Sequence, residues 1–365
     1  VRPVGMPRWG LSMTKGQING WIAEVGDEVA AGDDLVEIET EKVSGVLVSP
    51  ANGVLRRRLA EKGAWVPVGG LLAVVAGPSV PEEEIDRFVA GFQASYAPEE
   101  AGAETVEVGG RAIRYTRQGD RGEPVVLLHG FGGDLGTWLF TLPALAGRHR
   151  VHALDLPGHG GSAKSVAPGD LDSLVGTLLG FLAAHRIDRA HLVGHSMGGL
   201  VAMAAALRDP ARVASLSLIA TAGFGAEINA CYLDGLAGAV GRRDLTPVLR
   251  LLFGSPAAVT RRLVDDVLAY KRLDGVDAAL RLLSRELFPG GRQRHVLVEE
   301  AARLGLPTLV VWGDRDLVIP PAHASRAPAH ARVTVLAGAG HSPHLERPND
   351  VNRLLADFLA DVERP

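Results

Sequence analysis

The stretch HLVGHSMGGLVAMAAALRDP, residues 191–210, passes from an apolar segment through G-H-S-M-G into an alanine-rich segment that stops at Pro210. The first part suits a buried strand and the last a helix. Gly194 and Gly198 leave room for a strained strand-to-helix turn, which would present the Ser196 hydroxyl at a sheet edge, beside a helix N-terminus. Alone, the five-residue pattern also fits an ordinary glycine-rich turn. Three other segments give it a chemical reading. LLHGFGG (127–133) ends an earlier apolar run, so the amide of Phe131 can join that of Met197 as a pair of oxyanion donors. WGDRDLVIP (312–320) ends a later run with Asp314 and Asp316. AGAGHSPHLERP (337–348) offers His341 after the next run, with His344 close behind. A serine nucleophile, a histidine base and an orienting carboxylate in this chain order are the parts of an acyl-transfer site. His195, beside the serine, reads as a turn or packing residue.

Working outward, six bounded apolar runs carry the second part of the chain: PVVLLHG, RVHALDLPG, AHLVGHS, ASLSLIA, PTLVVWGD and RVTVLAGAGH. Strands buried on both faces and separated by helices predict a parallel α/β sheet. Between the fourth and fifth runs, about residues 225–305, the pattern is helical. Val259, Leu263, Val264, Val267 and Leu268 form one stripe, with Ser255-Pro256 as the expected cap and first turn. Such an insertion at the carboxyl edge of the sheet is placed to be a lid. Its arginine pairs, Arg242-Arg243 and Arg261-Arg262, read as a solvated helix face, with phosphate contact as the alternative. Cys231 reads as a core or surface residue.

Residues 1–77 follow different rules. Gly16, Ala23, Glu24, Gly26, Val29, Gly32 and Leu35 recur as Gly53, Ala60, Glu61, Gly63, Val66, Gly69 and Leu72, at a constant spacing of 37. Each copy is strand-rich, glycine-broken and too short to bury an apolar face, so the two together predict a small antiparallel sandwich. Between the copies lies EIETEKVSGVL (37–47), which reads as two strands meeting at a tight turn with Lys42 at its tip. Then PEEEIDRFVAGF (81–92) has Ile85, Phe88, Val89 and Phe92 at helical spacing and acids in the first turn. APEEAGAE (97–104) reads as a short linker. The expected organisation is a β domain at 1–77, a helix and linker at 78–104, and an α/β domain at 105–365.

Residues 6–76 resemble the lipoyl domains of 2-oxo acid dehydrogenase complexes, through MPRWGLSMTKGQI, VGDEVAAGDDLVEIETEKV and SPANGV. That resemblance implies lipoate attached covalently to Lys42 by a lipoate-attaching enzyme. A biotin carrier shares the fold but usually has A-M-K-M at the tip, which is absent here. Residues 105–362 resemble the α/β-hydrolase fold, including DLPGHGGSA (155–163). There the acid of G-x-x-D is Asp316, with Asp314 as the fallback, and the histidine is His341, with His344 as the competitor. Together the two parts resemble the E2 acyltransferases of acetoin dehydrogenase-type complexes. This resemblance implies acyl transfer from a lipoyl-lysine thioester to coenzyme A, and E1 and E3 partners. A thioesterase or esterase tethered to a carrier domain is the alternative. The H-x-x-x-D-G signature of ordinary E2 acyltransferase domains is absent, and 81–104 is too short for a peripheral subunit-binding domain.

Composition bounds these readings. A chain of 365 residues with 47% hydrophobic and 22% charged residues is globular and long enough for two or three domains. A formal charge of −4 provides no basic field for nucleic acid or anionic lipid. One cysteine excludes an internal disulfide, which suits a reducing compartment. The first residues, VRPVGMPRWG, lack the apolar run of a signal peptide, and no run approaches the ~20 apolar residues of a membrane span. A cytoplasmic protein is expected. About eight linker residues reach only roughly 15 Å, so a homo-oligomer in which one chain's arm serves a neighbour is expected too.

Overall fold

The computed structural model describes residues 1–7, 15–39, 44–95 and 103–364. The chain divides into two compact units, Val1–Gly102 and Ala103–Pro365. The linker expected at 97–104 lies outside the described residues up to 102.

The first unit carries strands β1 (Arg2–Gly5), β2 (Lys15–Trp21), β3 (Glu28–Val29), β4 (Asp34–Glu39), β5 (Ser44–Val48), β6 (Gly53–Arg58), β7 (Trp65–Pro67) and β8 (Leu71–Ala76). They form two four-stranded antiparallel sheets, ordered β1-β8-β6-β3 and β5-β4-β2-β7. The two repeats are therefore not stacked one on the other. Each sheet takes its central pair from one repeat and its edge strands from the other. The backbone bonds repeat at the sequence spacing. Gly26 N–H donates to Leu55 O at 2.8 Å and Gly63 N–H to Ile18 O at 2.7 Å. Ile18 N–H donates to Ala64 O at 3.0 Å and Leu55 N–H to Asp27 O at 2.9 Å. Gly26 and Gly63 have φ of 104° and 86°, which explains why both copies need glycine there. Leu35 and Leu72, related by the repeat, are fully buried. The helix Glu82–Ser95 lays Ile85 and Val89 against Leu71 and Val74, and Arg57 of β6 pairs with Glu82 and Asp86.

The second unit is built on one eight-stranded sheet: β9 (Glu104–Val108), β10 (Arg111–Gln118), β11 (Pro124–Leu128), β12 (Arg150–Leu154), β13 (Ala190–His195), β14 (Val213–Ile219), β15 (Thr308–Gly313) and β16 (Arg332–Leu336). Their order is β16-β15-β14-β13-β11-β12-β10-β9. The six strands expected from the apolar runs are β11 to β16, and they are parallel. The antiparallel pair β9–β10 extends the sheet beyond them. One expectation fails: β16 is not buried on both faces. Among the described residues it pairs only with β15, and it leaves Val333 and Val335 exposed, as an edge strand does.

Between β14 and β15 lie helices Ala230–Gly238, Arg242–Arg250, Arg261–Lys271, Val276–Leu287 and Val298–Ala302. The stripe helix starts later than its sequence predicts. Ser255-Pro256 opens only a 3₁₀ turn, Pro256–Ala258, and Val259 precedes the helix. Thr260 is the cap, its hydroxyl accepting from Leu263 N–H at 3.1 Å. Two tyrosines of the block reach the carboxyl edge of the sheet. Tyr232 O–H donates to Phe131 O, and Tyr270 O–H to Gly158 O.

The symmetry of the small sandwich carries a prediction. Gly26→Ala and Gly63→Ala force a side chain into a left-handed conformation at equivalent places, at about 1–2 kcal/mol each. Amide hydrogen exchange of the full chain should show similar losses of protection across residues 15–76 for both, leaving the second unit unchanged.

Candidate active site

Strand β13 ends at His195, and the next residue begins helix Met197–Arg208 as its cap. Ser196 itself has φ 52° and ψ −117°, a conformation few non-glycine residues adopt. The turn is possible because its neighbours have no Cβ. A Cβ on Gly194 would lie 2.5 Å from Gly198 O, and one on Gly198 would lie 2.1 Å from Leu128 O. One on Gly199 would strike Thr221 Oγ1 at 2.1 Å. The third glycine of G-H-S-M-G-G is therefore as necessary as the two in the motif.

Asp316 follows β15 and is buried. Its Oδ2 accepts from His341 Nδ1 at 2.8 Å and from Trp312 Nε1 at 3.0 Å. Its Oδ1 accepts from the amides of Val318 and Ile319 at 2.8 and 2.9 Å. Four donors leave this carboxylate no freedom to turn. The bond to Nδ1–H places the lone pair of His341 on Nε2, which has no hydrogen-bond partner among the described residues. The His341 loop is anchored by Glu346, which accepts from Gly340 N–H at 2.7 Å and Gly254 N–H at 2.8 Å. It joins the serine turn through His195, whose Nε2 donates to His341 O at 2.8 Å. The rings of His195 and His341 are 4.9 Å apart. Ser196, His341 and Asp316 are thus brought into one buried region by three different strand ends.

The other sequence candidates separate clearly. Asp314 accepts from Gly338 N–H at 2.7 Å and closes a turn; the bond to histidine is made by Asp316. His344 is buried against Trp138 and His195, with no partner for either nitrogen among the described residues. Burial and His341 lower its pKa to about 3. His195 is likewise held neutral by burial and by His344 and His341. The amides of Phe131 and Met197 have no acceptor among the described residues. Cys231 is exposed. Arg242 forms a fork with Asp265 at the surface of the helical block. Lys42 lies outside the described residues. The strands on either side of it, β4 and β5, pair with Glu39 opposite Ser44, which leaves Thr40 to Val43 as their connection. Sequence reasoning missed Trp312, Glu346 and Tyr232. Tyr232 and Glu346 reach segments 101 and 92 residues away, whereas Trp312 stands four residues before Asp316 in the same quoted motif.

The geometry defines an α/β-hydrolase joined to a small biotinyl/lipoyl-type sandwich. Two family models agree: the alpha/beta hydrolase fold matches residues 123–348, and the biotin-requiring enzyme domain matches residues 2–75. The chain is 47% identical to the "dihydrolipoyllysine-residue acetyltransferase component of acetoin cleaving system" of Pseudomonas putida, over 98% of both chains. It is 44% identical to the component of the same name from Cupriavidus necator, over 98% of this chain and 97% of that one. Among solved structures, a meta-cleavage product hydrolase of Pseudomonas fluorescens matches with a TM-score of 0.65 and 27% identity, covering 71% of this chain and 98% of its own. The chain belongs to the family of dihydrolipoyllysine-residue acetyltransferase components of acetoin cleaving systems.

Buried histidines make the second unit acid-sensitive. Burial is the main cause that lowers His129, His152, His159, His191, His195 and His344, with His152 falling to about 4. Such a group takes its proton first in the unfolded chain. Its stabilisation is complete above about pH 6.5 and is lost as pH falls from there toward the folded pKa. Asp155, raised to about 7 by burial, and Glu346, also raised by burial, act in the opposite sense, but they are two groups against six. The urea midpoint should therefore fall between pH 6.5 and 4.5. His344→Phe should flatten that slope, by up to about 1.4 kcal/mol per pH unit.

Proposed function

We propose that this chain transfers an acyl group, acetyl by the names of its relatives, from a lipoyl-lysine thioester on Lys42 to coenzyme A through an acyl-Ser196 intermediate. The observation that carries the reading is the His341–Asp316 pair, its carboxylate held by four donors, in one buried region with a strained serine and in a chain that also has a lipoyl-type unit. Lipoate linked to the Lys42 amine supplies a thiol that carries the acyl group as a thioester. Ser196 Oγ attacks the thioester carbonyl while His341 Nε2 takes its proton. The amides of Phe131 and Met197 receive the oxyanion. His341 returns the proton to the departing sulfur as the C–S bond breaks. In the second half the coenzyme A thiol gives its proton to His341 and attacks the acyl-serine. The serine C–O bond breaks, and Ser196 recovers its proton. Asp316 keeps Nδ1–H facing inward and stabilises the imidazolium in both halves.

The helices between β14 and β15 act as a lid over this site. E1 and E3 components are the partners, a lipoate-attaching enzyme modifies Lys42, and the chain works as a homo-oligomer in the cytoplasm. No described helix is long and apolar enough to cross a membrane.

The test is to supply S-acetyl-dihydrolipoamide with coenzyme A and separate the products. Acetyl-CoA is expected, and acetate alone would make the enzyme a hydrolase. Ser196→Ala and His341→Ala should each cost on the order of 10⁶ in kcat. Asp316→Asn should cost less, about 10⁴. Asp314→Asn should be mild, and a larger loss there than at Asp316 would reverse the assignment of the acid. Intact mass after expression in a lipoylating host should show one lipoyl increment in the wild type and none in Lys42→Arg. An increment surviving that substitution would move the attachment site.

A further inference from the structure

Two consecutive peptide groups, 130–131 and 131–132, contain four polar groups, and three of them are satisfied inside the protein. Gly130 O accepts from His129 Nδ1 at 2.8 Å and from Gly133 N–H at 3.0 Å. Phe131 O accepts from the Tyr232 hydroxyl at 2.8 Å. Gly132 N–H donates to His159 Nε2 at 3.0 Å. His159 Nδ1 lies 3.1 Å from Pro157 O, which makes Nδ1 the protonated nitrogen and Nε2 an acceptor. Only the Phe131 N–H lacks an acceptor among the described residues. The partners are not local. His159 sits in the loop after β12, and Tyr232 sits on helix Ala230–Gly238 of the inserted block. Both side chains are buried. The same helix seats Leu236 against Gly132, where a Cβ would fall 2.1 Å from Leu236 Cδ2.

We propose that Tyr232 and His159 are positioning residues for the oxyanion hole, gripping the 131–132 peptide by its carbonyl and its N–H so that the Phe131 N–H is aimed at the developing charge. Adjacent peptide planes share one Cα. With the 131–132 plane held at both ends and Gly130 O held by His129, the direction of the N–H between them is fixed. One jaw of this clamp belongs to the helical block. The donor is therefore in register only while helix Ala230–Gly238 is seated, which ties the charge-stabilising geometry to the element that covers the site. A hydrogen bond weakens steeply as its angle opens, so a tilted amide loses most of its value. This inference rests on the acyl-serine reading proposed above.

The experiment uses the full chain and p-nitrophenyl acetate as the acyl donor. Variants are Tyr232→Phe, His159→Gln, the double variant, Ser196→Ala, and Tyr270→Phe as a matched control that removes a lid hydrogen bond to Gly158 O. A trifluoromethyl ketone, which forms a tetrahedral adduct with the serine, reports on the oxyanion geometry, and thermal unfolding reports on folding. Losing an oxyanion donor outright costs 10²–10³ in kcat, so misaiming one should cost about ten- to a hundredfold. Tyr232→Phe and His159→Gln should each lower kcat by that factor with KM within about twofold, and weaken the ketone in proportion. The double variant should lose much less than the product of the two, because both act on one peptide. Tyr270→Phe should stay within about threefold of wild type. Ser196-dependent turnover that ignores Tyr232→Phe, losses confined to KM, multiplicative losses, or an equal loss in Tyr270→Phe would each overturn the clamp alone. Turnover that survives Ser196→Ala would overturn the acyl-serine reading and the clamp with it.

Discussion

The backbone of Ser196 is held at φ 52° and ψ −117°, and most of the second unit can be understood as what keeps it there. A residue in so sparse a region costs about 1–3 kcal/mol and persists only when its surroundings allow no other choice. Here they do not. Gly194, Gly198 and Gly199 let strand β13, helix Met197–Arg208, the end of β11 and Thr221 approach one another more closely than any side chain would permit. The helix then begins at the serine. Catalytic geometry in this unit is a packing result first and a matter of polar contacts second.

Polar contacts complete it by holding flexible loops against one another. The Asp316 carboxylate binds an indole, an imidazole and two amides, and so fixes the tautomer and direction of His341. Glu346 holds the loop that carries the histidine, and His195 fastens that loop to the serine turn. Asp316, Trp312, His341 and His195 are buried, so an unmet donor or acceptor among them would cost more than its partner adds. His195 and His344 remain neutral because burial disfavours their charged forms.

The small sandwich solves a different problem. A 37-residue segment of this kind cannot close a core by itself. Exchanging strands gives each sheet a central pair from one copy and edges from the other, so the copies cannot separate without breaking both sheets. The paired bonds of Gly26 with Leu55 and Gly63 with Ile18 are the local expression of that exchange. The lysine connection then falls between two paired strands, β4 and β5, and their ladder closes at Glu39 and Ser44.

Several things were legible in the residues themselves, because local chemistry dictates them. Glycine spacing marked the strained turn and the repeat, apolar runs marked the central parallel strands, and acids before Ile85 marked the start of a helix. The order of Ser196, Asp316 and His341 was visible because each follows a strand. Other features depend on which of several available contacts the folded chain makes. Whether Asp314 or Asp316 meets the histidine depends on which carboxylate the β15 turn buries, and the indole of Trp312 with the amides of Val318 and Ile319 decides for Asp316. The exposed edge at β16 depends on its having one neighbour, the late start of helix Arg261–Lys271 on a threonine hydroxyl, and the exchange of strands on which copy supplies each edge. The grip of Tyr232 and His159 on the Phe131 loop joins segments 101 and 27 residues apart, and no periodicity or motif records it. Sequence specifies what each segment can be, through propensity and close approach; only the folded chain brings a donor to its acceptor.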